Sequence, residues 1–267
     1  MKPGVCLYGL ASIAAGAVNL IWGDFETAHQ PIQAFGDQIP ARAILAWVAA
    51  VWLIAGGAAI LWRRTAKWGG AALTLIYGIF AIFWLPRFYT VIPVLGFRAD
   101  VYIGLLAGVG QQLILAAAAL IVYATATATG ESRSSVRALG IARWIFGLSS
   151  IVFGLAHLAD IKDVGPMVPA WMPLGGKFWA IVTGAAFVLA GVAIVARTVD
   201  VLASRLLALM LLVFSALALL PPLFTAPAGQ IAWGSNAYNL AAVGAAWILA
   251  SSLASLRQTS NAPVRRR

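Results

Sequence analysis

Charge is scarce in this chain. Only 10% of its 267 residues are charged, while 62% are hydrophobic; an ordinary soluble domain is roughly 25% charged and 45–50% apolar. A soluble fold of this length leaves about a quarter to a third of its chain's surface wet, so it cannot hide this much apolar surface, and lipid is the natural solvent. Cysteine is nearly missing. Cys6 stands alone, which excludes an intramolecular disulfide and dithiol chemistry within the chain. Histidine occurs twice, at His29 and His157, without the H-x₃₋₅-H or HExxH spacing of a zinc site, so no metal ligands are expected. A P-loop, a dinucleotide fingerprint and a nucleophile elbow are lacking too. The first apolar run has no convincing cleavage site and continues into a many-span pattern, which argues against a cleaved signal peptide.

What is present is a series of long apolar runs. About 20 residues cross a hydrocarbon core, and eight runs qualify: Val5–Trp22, Ala43–Trp62, Trp68–Leu85, Val101–Thr125, Leu139–Ala159, Phe178–Ala196, Val201–Leu220 and Trp233–Leu253. The expected fold is all-α and integral to a membrane, with about eight transmembrane helices. Basic residues sort by side. With the N-terminus inside, Lys2, Arg63, Arg64, Lys67, Arg133, Arg137, Arg143, Arg197, Arg205, Arg257 and Arg265 to Arg267 are cytoplasmic, whereas Arg42, Arg87, Arg98, Lys162 and Lys177 are outside. Six of the eight acids fall outside. Both termini are therefore expected in the cytoplasm, with a bacterial cytoplasmic membrane as the location. The net charge of +10 follows topology and lipid contact rather than a nucleic-acid face.

The stretch 126–138 is the most polar between two runs and lies near the middle of the chain. The flanking halves align. Gly9-Leu10, Ser12-Ile13, Gly16 and Leu20 recur 138 positions on as Gly147-Leu148, Ser150-Ile151, Gly154 and Leu158. Leu85-Pro86 recurs as Leu220-Pro221, and Val109-Gly110 as Val243-Gly244, at offsets of 135 and 134. The expected organisation is two parallel four-helix bundle repeats: residues 1–125, a cytoplasmic linker 126–138, a second repeat 139–256 and a basic tail 257–267.

Polar groups within spans are costly and so mark candidate sites. His157 sits near the outer end of the fifth run, where Asn19 stands in the first half. An imidazole there can move a proton or hydrogen-bond a quinone, and His157 is the candidate catalytic residue. Asp24 and His29 in the first outer loop, Asp160 and Lys162 in the second, and Gln111 and Gln112 in the fourth run are candidate ligand-binding residues together with Asn19. Helix geometry sets adjacent residues about 100° apart, so the two glutamines cannot share one neighbour. The outer charges are equally read as solvated loop residues. Asn236 and Asn239 read as helix caps or ligands. Trp47, Trp52 and Trp247 read as core, and Trp22, Trp62, Trp68, Trp84, Trp171, Trp179 and Trp233 as interfacial anchors. Two histidines suffice in principle for a haem, but one lies in a loop and nothing else supports that cofactor.

The second half also carries Phe153-Gly-Leu-Ala-His157, then Val168-Pro-Ala-Trp-Met-Pro173, Thr183-Gly184 and Ala190-Gly191. In this order it resembles the DoxX-like family of four-helix membrane proteins. The resemblance covers roughly Leu139–Leu253. The first half departs from it, with Asn19 for the histidine and no VPxWxP loop. The resemblance implies a quinone- or redox-linked membrane subunit acting with a partner enzyme. A non-catalytic lipid-binding or scaffold protein, and a small-solute transporter with its site between the repeats, are the alternatives.

Overall fold

A computed structural model describes residues 2–29, 39–127, 133–225 and 227–260. Eight spans are long and apolar enough to cross a membrane; their helices are α1 Pro3–Trp22, α2 Arg42–Ile60, α3 Ala66–Trp84, α4 Ala99–Thr127, α5 Arg133–Ala159, α6 Gly175–Val195, α7 Asp200–Phe214, which reaches span length with its continuation to Thr225, and α8 Gln230–Ser260. The protein is an all-α integral membrane protein, as expected. Pro3 starts α1, where a missing N–H costs nothing. Gly23, at φ 64°, ends it with a left-handed turn. The helix of α7 continues through a π turn, Ser215–Leu219, into Pro221–Thr225. In that turn the Leu220 N–H donates to the Ser215 carbonyl, five residues back. Helices α4 and α5 reach into the polar 126–138 stretch, because residues such as Ser134 and Arg137 can prolong a helix beyond the hydrocarbon.

The packing order is the same in both halves. Helix α1 lies between α2 and α8, and α5 lies between α6 and α4; α3 packs on α4, α7 packs on α8, and α4 meets α8 at the centre. Each half's first helix thus docks on the other half's last. The α1–α2 and α5–α6 seams rest on glycines, which let membrane helices approach closely. A Cβ on Gly57 would stand 2.7 Å from the Gly9 carbonyl oxygen, and one on Gly191 would stand 2.5 Å from that of Gly147. Burial follows the same register: Tyr8, Ser12 and Gly16 are buried like Phe146, Ser150 and Gly154, and Ala46, Leu53 and Ile60 like Ala180, Phe187 and Ile194.

Several expectations change. Asn236 and Asn239 do not cap α8. They lie well inside it and are buried, since α8 begins at Gln230. Trp47 and Trp247 are 51% and 42% exposed; they face away from the bundle, where lipid accommodates an indole that a tightly packed Gly/Ala seam cannot. Trp52 is half-buried and donates to the Ala72 carbonyl across the α2–α3 contact.

Candidate functional site

Two interiors result, each walled by five helices because α4 and α8 serve both. The second, between α4, α5, α6, α7 and α8, contains a cavity of about 150 Å³. Its walls are mostly apolar, with Phe146, Phe153, Phe187 and Phe214 supplying rings. Its polar groups are Ser150 and His157 from α5, Gln111 from α4, and Tyr238 and Asn239 from α8; the Tyr238 hydroxyl donates to the Gln111 backbone carbonyl at 3.3 Å. His157 lies in the last turn of α5, beside Phe187 (centroids 5.1 Å) and nearly parallel to Phe214 (6.3 Å). Its Nδ1 is 2.8 Å from the Phe153 carbonyl oxygen. A carbonyl only accepts, so Nδ1 carries the proton and Nε2 is left as a lone-pair acceptor. Asn239 spends its amide N–H groups on the Leu211 carbonyl (2.6 Å) and Ser215 Oγ (2.8 Å), at the start of the π turn. Such turns recur at functional sites.

The first interior is built alike but filled. After the left-handed Gly23 the chain folds back between the helices, and Phe25, Glu26 and His29 are buried. The Glu26 N–H donates to Asn19 Oδ1 at 2.8 Å. The Ala28 carbonyl accepts from Trp84 Nε1 (2.9 Å) and Gln112 Nε2 (3.2 Å). The His29 ring stacks on Phe80, centroids 4.0 Å apart. Glu26 lies against Gly234 of α8, where a Cβ would stand 2.1 Å from its Cγ. Burial pushes the Glu26 carboxyl up to about 7, although the Ala28 and His29 N–H groups oppose this, and burial pushes the His29 imidazole down to about 3. Both are therefore neutral between about pH 3 and pH 7, and their side chains stand 3.8 Å apart. Tyr8 and Tyr77 complete the lining; Ser12 Oγ lies 3.2 Å from the Tyr77 hydroxyl.

The candidate residues thus separate. His157 and Gln111 share the second cavity, while Asn19, His29 and Gln112 meet in the first interior. The two glutamines face different interiors, as their 100° separation allows. Asp24 is drawn into a two-point ion pair with Arg42, 2.7 and 3.0 Å, at the mouth of the first interior. Asp160 and Lys162 are exposed and line no described cavity. They belong to the second connection, whose short helix Ile161–Val164 and 3₁₀ turn Gly165–Met167 run over α6 instead of entering. Among the described residues no group of three His, Cys, Asp or Glu side chains is placed to hold a metal. Sequence reasoning did not single out Glu26, Phe187 or Phe214 as site residues, and it offered Asn239 only as a cap or a ligand. The one available signal was Gly23 directly after an apolar run, a left-handed turn that redirects the chain. No family model matches the chain, and no curated protein or solved structure matches it either.

Proposed function

We propose that the protein is a DoxX-like membrane subunit, formed from two copies of one four-helix unit, that binds a quinone-class ring in its second-half cavity for a partner redox enzyme. The carrying observation is the cavity itself: a phenylalanine-rich chamber with His157 on one wall. Its volume suits one six-membered ring, since a cavity of about 150 Å³ accommodates benzene. An isoprenoid tail then needs an exit. Helices α6 and α7 pack on each other least of all consecutive spans, so the tail leaves there, toward lipid. The ring needs hydrogen-bonding groups opposite its oxygens, and His157, Gln111 and Ser150 supply them. The redox centre belongs to the partner. In this reading both termini are cytoplasmic, the membrane is a bacterial cytoplasmic one, and His157 lies toward the outer face. A lipid acyl chain is the competing occupant, but it makes no use of five polar residues in the lining. A transported solute is the third reading, without a specific observation in its favour.

The test is binding of a short-chain benzoquinone to purified protein in detergent. Saturable binding is expected, weakened several-fold in His157→Ala by loss of the imidazole's packing against the ring. Unaltered binding in that variant, or none in the parent protein, rejects the reading.

A further inference from the structure

The first interior holds a segment of the chain where the second holds a cavity, and corresponding wall positions can be compared one by one. His157 stands 138 residues after Asn19. Phe187 follows Leu53, and Phe214 follows Phe80, each by 134, and each pair lines the equivalent helix. The π turn begins directly after Phe214. It supplies the one extra residue that moves the offset from 134 to the 135 of Leu85-Pro86 and Leu220-Pro221. Two contacts of the folded-back segment fall on these wall positions. A planar ring, His29, stacks on Phe80, and an N–H donor, that of Glu26, meets Asn19 Oδ1 at 2.8 Å. Transferred to the second half, they put a planar ring on Phe214 and a hydrogen-bond donor on residue 157. His157 is independently set to receive one, because its Nδ1 proton is committed to the Phe153 carbonyl and only the Nε2 lone pair remains.

We infer that Gly23–His29 is a built-in stand-in for the cavity's ligand, and that this ligand is a planar ring carrying an O–H donor: the hydroquinone form of the quinone class, with its ring against Phe214 and one hydroxyl donating to His157 Nε2. The inference rests on the proposed function and names the oxidation state that the site prefers. A quinone offers only carbonyl acceptors, which face an acceptor at His157. The hydroquinone pairs with it. The cavity therefore favours the reduced carrier, by the amount that one buried hydrogen bond is worth over one left unmade.

Three probes built on one ring separate the possibilities: a short-chain 1,4-hydroquinone, its dimethyl ether and the parent quinone, with affinities measured anaerobically in detergent. The hydroquinone is expected to bind about tenfold or more tighter than the other two. His157→Ala is expected to equalise all three. His157→Asn, which installs the residue of the first half with its own carbonyl acceptor, is expected to restore part of the preference and guards against a folding defect in the alanine variant. If all three probes bind equally, the donor inference is overturned while the quinone-class reading stands. If the quinone binds tightest, the stand-in assignment is overturned. If none binds, the proposed function fails and the inference with it.

Discussion

The two halves differ first at the residue that follows the first helix of each. In α1 that region ends in Gly23, whose left-handed backbone turns the chain into the bundle. In α5 it ends in Ala159 and Asp160, which has an ordinary negative φ of −123°, and the chain continues over the rim. The walls consequently enclose the side chains of Phe25, Glu26 and His29 in one case and a cavity in the other. A helix terminus, rather than a helix, determines which interior can accept a molecule. The side chains differ to match: Asn19, Trp84 and Gln112 hydrogen-bond the peptide segment, whereas four phenylalanines, His157 and a few polar groups line the open space.

The comparison breaks most forcefully at Gly234. Leucine there leaves no room for Glu26, so the segment is expected to leave the first interior. Amide exchange over residues 23–29 should then rise at least about tenfold, with a loss of several kcal/mol in stability of the overpacked bundle. Unchanged protection of those amides would mean that α8 does not hold the segment in place.

Next come the two cross-half seams. A Cβ on Gly244 would lie 2.6 Å from the Tyr8 backbone nitrogen, but one on Gly110 would lie 3.0 Å from the Ser149 hydroxyl oxygen. Gly244→Ala should cost about 1–3 kcal/mol. Gly110→Ala should cost less than about 1 kcal/mol, since a side-chain oxygen moves more easily than backbone and alanine favours the helix. Thermal midpoints in detergent decide it, and equal losses would show the seams to be alike.

The pH response sharpens the contrast further. The raised Glu26 pKa means that its contribution declines as pH climbs from 4.5 through about 7, where the buried carboxyl ionises. The lowered His29 pKa means that its contribution declines as pH falls from 6.5 through about 3. Between about 4.5 and 6.5 the two slopes oppose each other. Protection of residues 23–29 should therefore be greatest in that window. Glu26→Gln should abolish the alkaline decline and leave the acid one. A profile with no alkaline decline in the parent protein would contradict the buried carboxyl.

Gly23→Ala should cost about 1–2 kcal/mol through its left-handed backbone, seen as faster amide exchange confined to the same segment. The smallest effect belongs to the exposed pair. Asp160→Asn and Lys162→Ala should change ligand binding and stability by less than about 0.5 kcal/mol; a larger binding loss would bring the second rim into the site.

The eight spans were legible because a hydrocarbon core imposes length and apolarity on each segment separately. The glutamine pair was legible for a similar reason, as helix geometry alone forces the two apart. The folded-back segment was not. Asp24, Glu26 and His29 carry the composition of a solvated loop, and their partners Phe80, Trp84 and Gln112 lie some 50 to 90 residues away, out of reach of any local pattern. The outward tryptophans were misread because depth along a helix says nothing of its azimuth. The orientation of the His157 ring depends on a single carbonyl, and no spacing encodes it.

Helices α4 and α8 each wall both interiors, Gln112 and Gly234 on one side, Gln111 and Asn239 on the other. Cutting the chain between its halves would therefore not yield two small proteins but two open shells, each missing a stave. A free pair of identical subunits would have to keep both chambers identical. Only the covalent join lets one chamber be sealed while its neighbour stays open, so the joining of the two halves is what permits a division of labour between them.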